Sequence, residues 1–265
     1  MGKSSRIWAV GAVALLATFQ VIQAESAAMD FSYDDWQEVL ETFVDDQGLV
    51  DYAGLRANRG ALDQYLEQIR AKGPGSTPGL FAERDDQLAY YINAYNALVF
   101  DGVLGLDPEA GTVWGFSKTG YGFFVRTKVE LDEREMSLKK LEDDLVRAGF
   151  QDPRIHAALN CASVGCPRLP REPFLPETLD AQLEAAMKEF VAEERNCQVD
   201  TAAGTVTLSR IFDWFRQDFE DFPQPLGQGG GELIDYINRY RSADAQIPVD
   251  FKIKFANYDK SLNRQ

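Results

Sequence analysis

The chain has 265 residues, 45% of them hydrophobic, and 42 acidic residues outnumber 27 basic ones to give a formal net charge of −15. A surface of this charge repels nucleic acid and anionic lipid, so neither is expected as a partner. Roughly 240 residues can close one core, and no repeat or low-complexity linker divides the sequence, so we expect one domain after the N-terminal segment.

The first 24 residues have the pattern of a secretory signal peptide. Lys3 and Arg6 precede an apolar run from Ile7 to about Phe19, and Ala24 comes before polar sequence resumes. The run is short for a membrane span, so no stable span is expected after cleavage. We predict a periplasmic or secreted protein whose single domain covers residues 25–265, with 25 basic against 42 acidic residues once Lys3 and Arg6 are removed.

The first half of the mature chain is predicted to be helical. Apolar spacing indicates a helix over 33–44 capped by Ser32, a short extended segment at 49–52, a second helix near 60–70 and a loop at 70–80. The nearly continuous apolar run 85–104 predicts a central buried helix. Asn93 and Asn96 share one side of it, and their amides need hydrogen-bond partners if they are buried.

The second half mixes strands and helices. Alternation predicts strands over 120–135, a hairpin over 197–209 and a closing strand within 251–259. Helices are predicted after Ser137, Pro176 and Ser209, and again after the glycine-rich loop at 227–232. We therefore expect an α+β fold, a single mainly helical domain with a small antiparallel or mixed sheet. Papain-like and transglutaminase-like folds are compatible with this architecture.

Residues 155–169, IHAALNCASVGCPRL, concentrate the reactive side chains of the chain. They hold its sole histidine, His156, and two of its three cysteines, Cys161 and Cys166. In a strand or a helix, the side chains of Cys161 and His156 point in different directions. Gly165 allows the backbone to reverse, so Cys166 can lie on the same side as His156. A catalytic interpretation makes Cys166 the nucleophile, Cys161 its substitute and His156 the base.

Amides and a guanidinium complete the candidate site. Asn160, Asn93 or Asn96 could orient the imidazole or donate to an oxyanion, and Arg154 beside the motif is a further binding or orienting residue. Structural alternatives remain open, since a lone histidine is often a buried scaffold residue. A structural disulfide would be more useful if it joined Cys197 to one of the pair, because the longer loop restricts the unfolded chain more.

Metal binding is the less favoured interpretation. His156, Cys161 and Cys166 supply only three soft ligands, and neither a second histidine nor a paired CxxC motif supports a site. We therefore predict no metal and no cofactor. The ligand is expected to be an unidentified peptide or small molecule.

Six segments together resemble the domain of unknown function 547 family. They are DFSYDDWQEVLETFVDDQGLVDYAGL, LAYYINAYNALVF, SLKKLEDDLVR, PRIHAALNCASVGCPRL, LSRIFDWFRQDF and YDKSLN. Relatives joined to glutaredoxin-like domains favour thiol chemistry by analogy. Two positions depart from the family pattern: Asp143 follows Glu142 where relatives commonly have histidine, and Lys260 replaces the usual tryptophan.

These observations predict a thiol-dependent hydrolase or acyl transferase that uses a Cys/His pair. Two other functions stay open. One is thiol–disulfide exchange by Cys161 and Cys166, and the other is a binding module without catalysis.

Overall fold

Helices carry most of the chain, and two small sheets complete it. The computed structural model describes residues 30–116, 120–221 and 232–265. Residues Tyr33–Gln265 form one compact unit. The predicted signal peptide and most of the glycine-rich loop lie outside the described residues. Within the described ranges, each helix is too short or too polar to span a bilayer.

The N-terminal helices surround one buried helix. α1 (Asp34–Phe43), α2 (Tyr52–Ala57) and α3 (Gly60–Ala71) precede α4 (Arg84–Leu104). α4 is buried on nearly every side from Leu88 to Phe100, as its continuous apolar run predicts. Trp36 packs between the rings of Tyr65 and Phe100 and joins α1 to the core. Helix α2 was not predicted, because its six residues are too few to show a period.

The middle of the chain contains a hairpin and an irregular helix. α5 (Gly122–Arg126) precedes the antiparallel strands β1 (Lys128–Leu131) and β2 (Arg134–Ser137). Ser137 caps α6 (Leu138–Lys140), as predicted, and the helix continues through a π-helical segment (Leu141–Arg147) into α7 (Ala148–Phe150). The predicted strand at residues 122–126 is wrong, because the consecutive residues Phe123 and Phe124 are both buried and no alternating face exists.

The C-terminal half supplies the second sheet. A 3-10 helix (Pro153–Ala157) leads into the cysteine motif, and α8 (Leu179–Ala192) follows it. β3 (Cys197–Asp200) pairs antiparallel with β4 (Thr205–Leu208), and β5 (Lys252–Phe255) lies parallel to β4. α9 (Arg210–Trp214), α10 (Arg216–Glu220) and α11 (Leu233–Asn238) pack around this sheet. The α+β prediction is confirmed.

Candidate functional site

Three asparagines hold the cysteine motif against the central helix. The side chain of Asn93 donates to Phe174 O at 2.7 Å and accepts from Phe174 N, and Asn96 donates to Ala158 O and accepts from Asn160 N. Asn160 in turn donates to Pro167 O at 2.7 Å and accepts from the backbone N–H of Ala162. These amides are buried and paired with backbone groups, so they fix the path of the loop rather than orient the imidazole.

The C-terminal YDKSLN segment closes over the same loop. Backbone bonds join Val164 N to Ser261 O and Gly165 N to Asp259 O, each at 2.9 Å. Gly165 is required here by close approach, because a Cβ at that position would lie 2.8 Å from the ring of Tyr258 and 2.9 Å from Asp259 O. The positive φ of the turn falls instead at Ala162. The loop therefore depends on contacts made almost one hundred residues later in the chain.

Cys161 and Cys166 are joined by a disulfide that has two hydrogen-bond donors at its sulfurs. The backbone N–H of Cys161 donates to Cys166 Sγ at 2.9 Å. The Tyr258 hydroxyl lies 3.0 Å from Cys161 Sγ and 3.1 Å from Cys166 Sγ. Burial raises the pKa of the Tyr258 phenol, so the hydroxyl keeps its proton and acts as the donor. Cys166 is 2% exposed, whereas Cys161 is only partly buried.

The expectation that Cys197 takes part in a structural bridge is wrong. Cys197 is a free, buried thiol at the start of β3, with Arg241 Nη1 at 3.6 Å. The loop-length argument favoured the longer crosslink, but the turn brings the two sulfurs of the motif together and leaves Cys197 in a separate core. Geometry at the bond decides which cysteines pair, whatever the gain in chain entropy.

His156 is oriented by Asp218 of α10, a residue that the sequence did not single out. Its Nε2 lies 2.7 Å from Asp218 Oδ2, and its ring stacks on Phe215 with centroids 4.0 Å apart. Burial lowers the pKa of His156, and the bond to Asp218 only partly offsets this. Burial also opposes ionisation of Asp218, but hydrogen bonds from His156 and Arg147 outweigh it and lower the carboxyl pKa to about 2. The pair is thus a neutral imidazole donating Nε2–H to a carboxylate.

A cavity of about 300 Å³ brings these groups together. Its wall includes both cysteines, His156 and the carboxylate of Glu142, although no hydrogen bond among the described residues joins the imidazole to either sulfur. Aromatic side chains form much of the remaining wall. The full lining consists of Tyr95, Trp114, Tyr121, Phe124, Lys139, Glu142, Arg147, His156, Leu159, Cys161, Cys166, Ile211, Trp214, Phe215 and Tyr258.

Glu142 is the cavity carboxylate, and Asp143 is not. Glu142 Oε2 accepts from the Tyr95 hydroxyl at 3.2 Å, and burial together with the charge of Asp143 raises the pKa of Glu142 to about 7. Asp143 instead pairs with Lys139 and Arg147 and does not line the cavity. Both lie in the π-helical segment, a kind of distortion that is frequent at functional sites. Asp143, where the resemblance leads us to expect a histidine, is therefore part of an ion-pair network.

Arg154 forms ion pairs outside the cavity and has a structural role. Its guanidinium binds Asp152 at 2.8 Å and Asp180 of α8 at 2.8 Å, with Glu184 at 3.7 Å. It does not line the cavity. Lys260, the second departure from the family pattern, lies over the ring of Trp114 at 5.0 Å from its centroid. Neither residue contacts the sulfurs.

Sequence reasoning missed Asp218, Tyr258 and Glu142 as site residues. Asp218 lies 62 positions from His156, and Tyr258 lies 92 from Cys166. The co-occurrence of the LSRIFDWFRQDF, YDKSLN and cysteine segments was the available signal, because their residues meet at this cavity. Nothing in the local pattern shows which of several acidic residues in a helix faces the histidine or the cavity.

Comparison with known proteins places part of this chain in a family. Residues 81–191 match the model described as "Protein of unknown function, DUF547". That stretch includes α4, the π-helical segment and the cysteine motif, whereas Asp218 and Tyr258 lie beyond it. No curated protein and no solved structure matches the chain. Residues 81–191 therefore support the resemblance to the domain of unknown function 547 family.

Proposed function

We propose that the protein carries out thiol–disulfide exchange at the Cys161–Cys166 bridge. The observation that carries this proposal is a disulfide in the wall of a concave cavity, with Cys161 partly exposed and Cys166 buried. Reactivity in exchange depends on access to the attacked sulfur and on stabilisation of the leaving thiolate. The two sulfurs of this bridge differ in both respects.

In the oxidising direction, an incoming thiolate attacks Cys161 Sγ. The Cys161–Cys166 bond breaks, a mixed disulfide forms on Cys161, and the electron pair leaves on Cys166 as a thiolate. The Cys161 N–H donates to Cys166 Sγ at 2.9 Å, and the Tyr258 hydroxyl, 3.0 Å from Cys161 Sγ and 3.1 Å from Cys166 Sγ, can donate to either sulfur. Both hydrogen bonds to Cys166 Sγ strengthen as negative charge develops there. A second thiolate then displaces Cys161, so that two substrate thiols become one disulfide and the protein becomes a dithiol.

An exported location would suit this chemistry, because disulfides persist in oxidising compartments. The signal peptide predicted at residues 1–24 is the reason for proposing that location.

Tyr258→Phe tests the role of the phenol in exchange. Removing a donor to a developing thiolate costs about 1.5–3 kcal/mol, so reduction of the bridge by a small thiol should slow about ten- to hundredfold. The rate is measured by acid quenching and mass measurement of the oxidised, mixed and reduced forms. Tyr240→Phe is the matched control, because its hydroxyl contacts Tyr236 outside the cavity.

Two results would count against the proposal. If Tyr258→Phe reacts as fast as Tyr240→Phe, the phenol does not assist the leaving sulfur. If the native bridge of the unsubstituted protein is reduced no faster than the same bridge in protein unfolded with urea, the fold does not promote exchange at all.

One observation favours a second candidate function, acyl transfer by the reduced protein. Because Nε2 of His156 donates to Asp218, Nδ1 carries the lone pair, and among the described residues the ring has no other hydrogen-bond partner. After reduction, Nδ1 could accept the proton of a cavity thiol, whose thiolate would attack an ester carbonyl. The imidazolium then gives the proton to the departing alcohol, and water hydrolyses the thioester to release the acid and regenerate the thiol. This function predicts hydrolysis of a nitrophenyl ester by reduced protein, abolished by Asp218→Asn. Equal ester turnover by the oxidised protein, which has no cavity thiol, would exclude it.

A further inference from the structure

We infer that the cavity selects small disulfides and thiols that carry a protonated amine close to sulfur, with Glu142 binding the ammonium group. This inference rests on the proposed exchange at Cys161 and adds its substrate class. The supporting features are an unmatched carboxylate, a surrounding wall of aromatic rings and a local excess of negative charge.

Glu142 is a carboxylate without a cation. Its Oε2 accepts from Tyr95, and in the described part of the chain Oε1 has no hydrogen-bond donor and no basic nitrogen lies within 4 Å of the carboxylate. The two nearby cations are already paired. Lys139 binds Asp143 at 2.5 Å, and Arg147 binds Asp143 at 3.0 Å and Asp218 at 2.9 Å.

When Glu142 is ionised, it and the ion pairs beside it have one more carboxylate than cations; outside this cluster, Lys260 adds a positive charge over the Trp114 ring. Lys139 and Arg147 face three carboxylates, Glu142, Asp143 and Asp218, while His156 is neutral. A bound ammonium group would balance the cluster, whereas a bound carboxylate would add a second uncompensated negative charge. Burying an unpaired charge is costly, so the cluster discriminates between ligands by sign.

The walls suit the same class of ligand. Trp214 and Tyr258 line the cavity beside Trp114 and Phe215, whose rings already carry Lys260 and Arg147, and the faces of such rings attract cations, most strongly when water is excluded. A volume of about 300 Å³ is at the lower end for small-molecule sites. It fits a molecule with few heavy atoms on each side of sulfur.

The experiment compares three disulfides as oxidants of the reduced protein. They are cystamine, which carries two ammonium groups, bis(2-hydroxyethyl) disulfide, which is neutral and nearly equal in size, and the anionic 3,3′-dithiodipropionate. In each case Cys161 thiolate attacks the added disulfide, one substrate thiol leaves, and Cys166 then displaces the second as the bridge re-forms. Each rate is divided by the rate for the same disulfide with urea-unfolded protein, which removes differences in intrinsic reactivity.

Cystamine should give a normalised rate about tenfold above that of the neutral disulfide, the factor expected from one charge-assisted hydrogen bond, and the anionic disulfide should be slowest. Glu142→Gln should reduce the cystamine preference to less than about twofold. Glu38→Gln, a substitution of the same kind on the exposed face of α1, should leave it unchanged.

The preference should also depend on pH. Groups around Glu142 are Tyr95, Tyr121 and Tyr258, whose pKa values are raised, together with Lys139, Asp143 and Arg147. Because the pKa of Glu142 is about 7, its carboxylate fraction grows between pH 6 and 8. The cystamine preference should grow over the same interval in the unsubstituted protein and stay flat in Glu142→Gln.

The possible failures are distinguishable. Equal normalised rates for the three disulfides, or a cystamine preference that survives Glu142→Gln, would overturn the substrate class while leaving exchange intact. If none of the three reacts faster with folded than with unfolded protein, the proposed exchange itself fails.

Discussion

Cys161→Ala should abolish exchange and leave the remaining thiol of the motif nearly unreactive. Cys166 is 2% exposed, so after this substitution it should form a mixed disulfide with a small disulfide only slowly. Cys166→Ala should behave differently, because it retains Cys161, which is partly exposed, and removes the thiol that resolves the intermediate. A persistent mixed disulfide on Cys161 is the expected product, identified by intact mass and peptide mapping.

The control for this pair is Cys197→Ala. Cys197 is buried in another part of the core, where burial raises the pKa of its thiol, so exchange should proceed unchanged without it. Loss of the bridge should lower the free energy of unfolding by only about 2 kcal/mol, because so short a loop restricts the unfolded chain little. Both motif variants should therefore fold. A stable adduct on Cys166 in Cys161→Ala, formed as fast as that on Cys161, would show that the order of attack is wrong.

Glu142→Gln should make the protein more stable at pH 8 than the unsubstituted chain. Burial raises the pKa of Glu142 from an ordinary 4.5 to about 7, so the folded state binds a proton that the unfolded state has released. The stability associated with the protonated form is complete below pH 4.5 and is lost as pH rises through about 7. The loss amounts to roughly 3 kcal/mol, and glutamine avoids it.

Urea unfolding at pH 5 and pH 8 measures this effect. The difference in unfolding free energy between the variant and the unsubstituted protein should grow between the two pH values. His156 acts in the opposite direction, since its lowered pKa removes stability as pH falls below 6.5, but it is present in both proteins and cancels. A constant difference would mean that Glu142 is not held in a desolvated site. Glu38→Gln should show no such growth.

A stabilising substitution at Glu142 would also support a role for the site. Carboxylates that lower stability are tolerated where function requires them, and engineered stability often costs activity at such positions. The same variant is expected to lose its preference for cationic disulfides. If Glu142→Gln both gains stability and loses selectivity, the same buried carboxylate is responsible for both effects.

Periodicity predicted the long elements correctly. The buried helix α4 and the hairpin β3–β4 followed from hydrophobic spacing, and Ser137 and Ser209 cap their helices as predicted. The predicted cap of α1 is wrong, because its N-cap is Tyr33, without a side-chain cap bond, and not Ser32. Short elements were less predictable. Helices α5, α9 and α10 have only five residues each. Where such short helices begin and end depends on which aromatic side chains pack into the core, and five residues are too few for a hydrophobic period to show this.

The amino-acid order alone was enough to mark residues 155–169 as a candidate site, because the sole histidine and two of the three cysteines are concentrated there. It could not show which sulfur is accessible, which carboxylate holds the imidazole or that Tyr258 reaches both sulfurs. Those facts depend on contacts between residues far apart in the chain, and burial then changes their chemistry: it keeps His156 neutral and raises the pKa of Glu142. Local spacing reports the types of group present, while desolvation and long-range contacts arise only when the chain is packed.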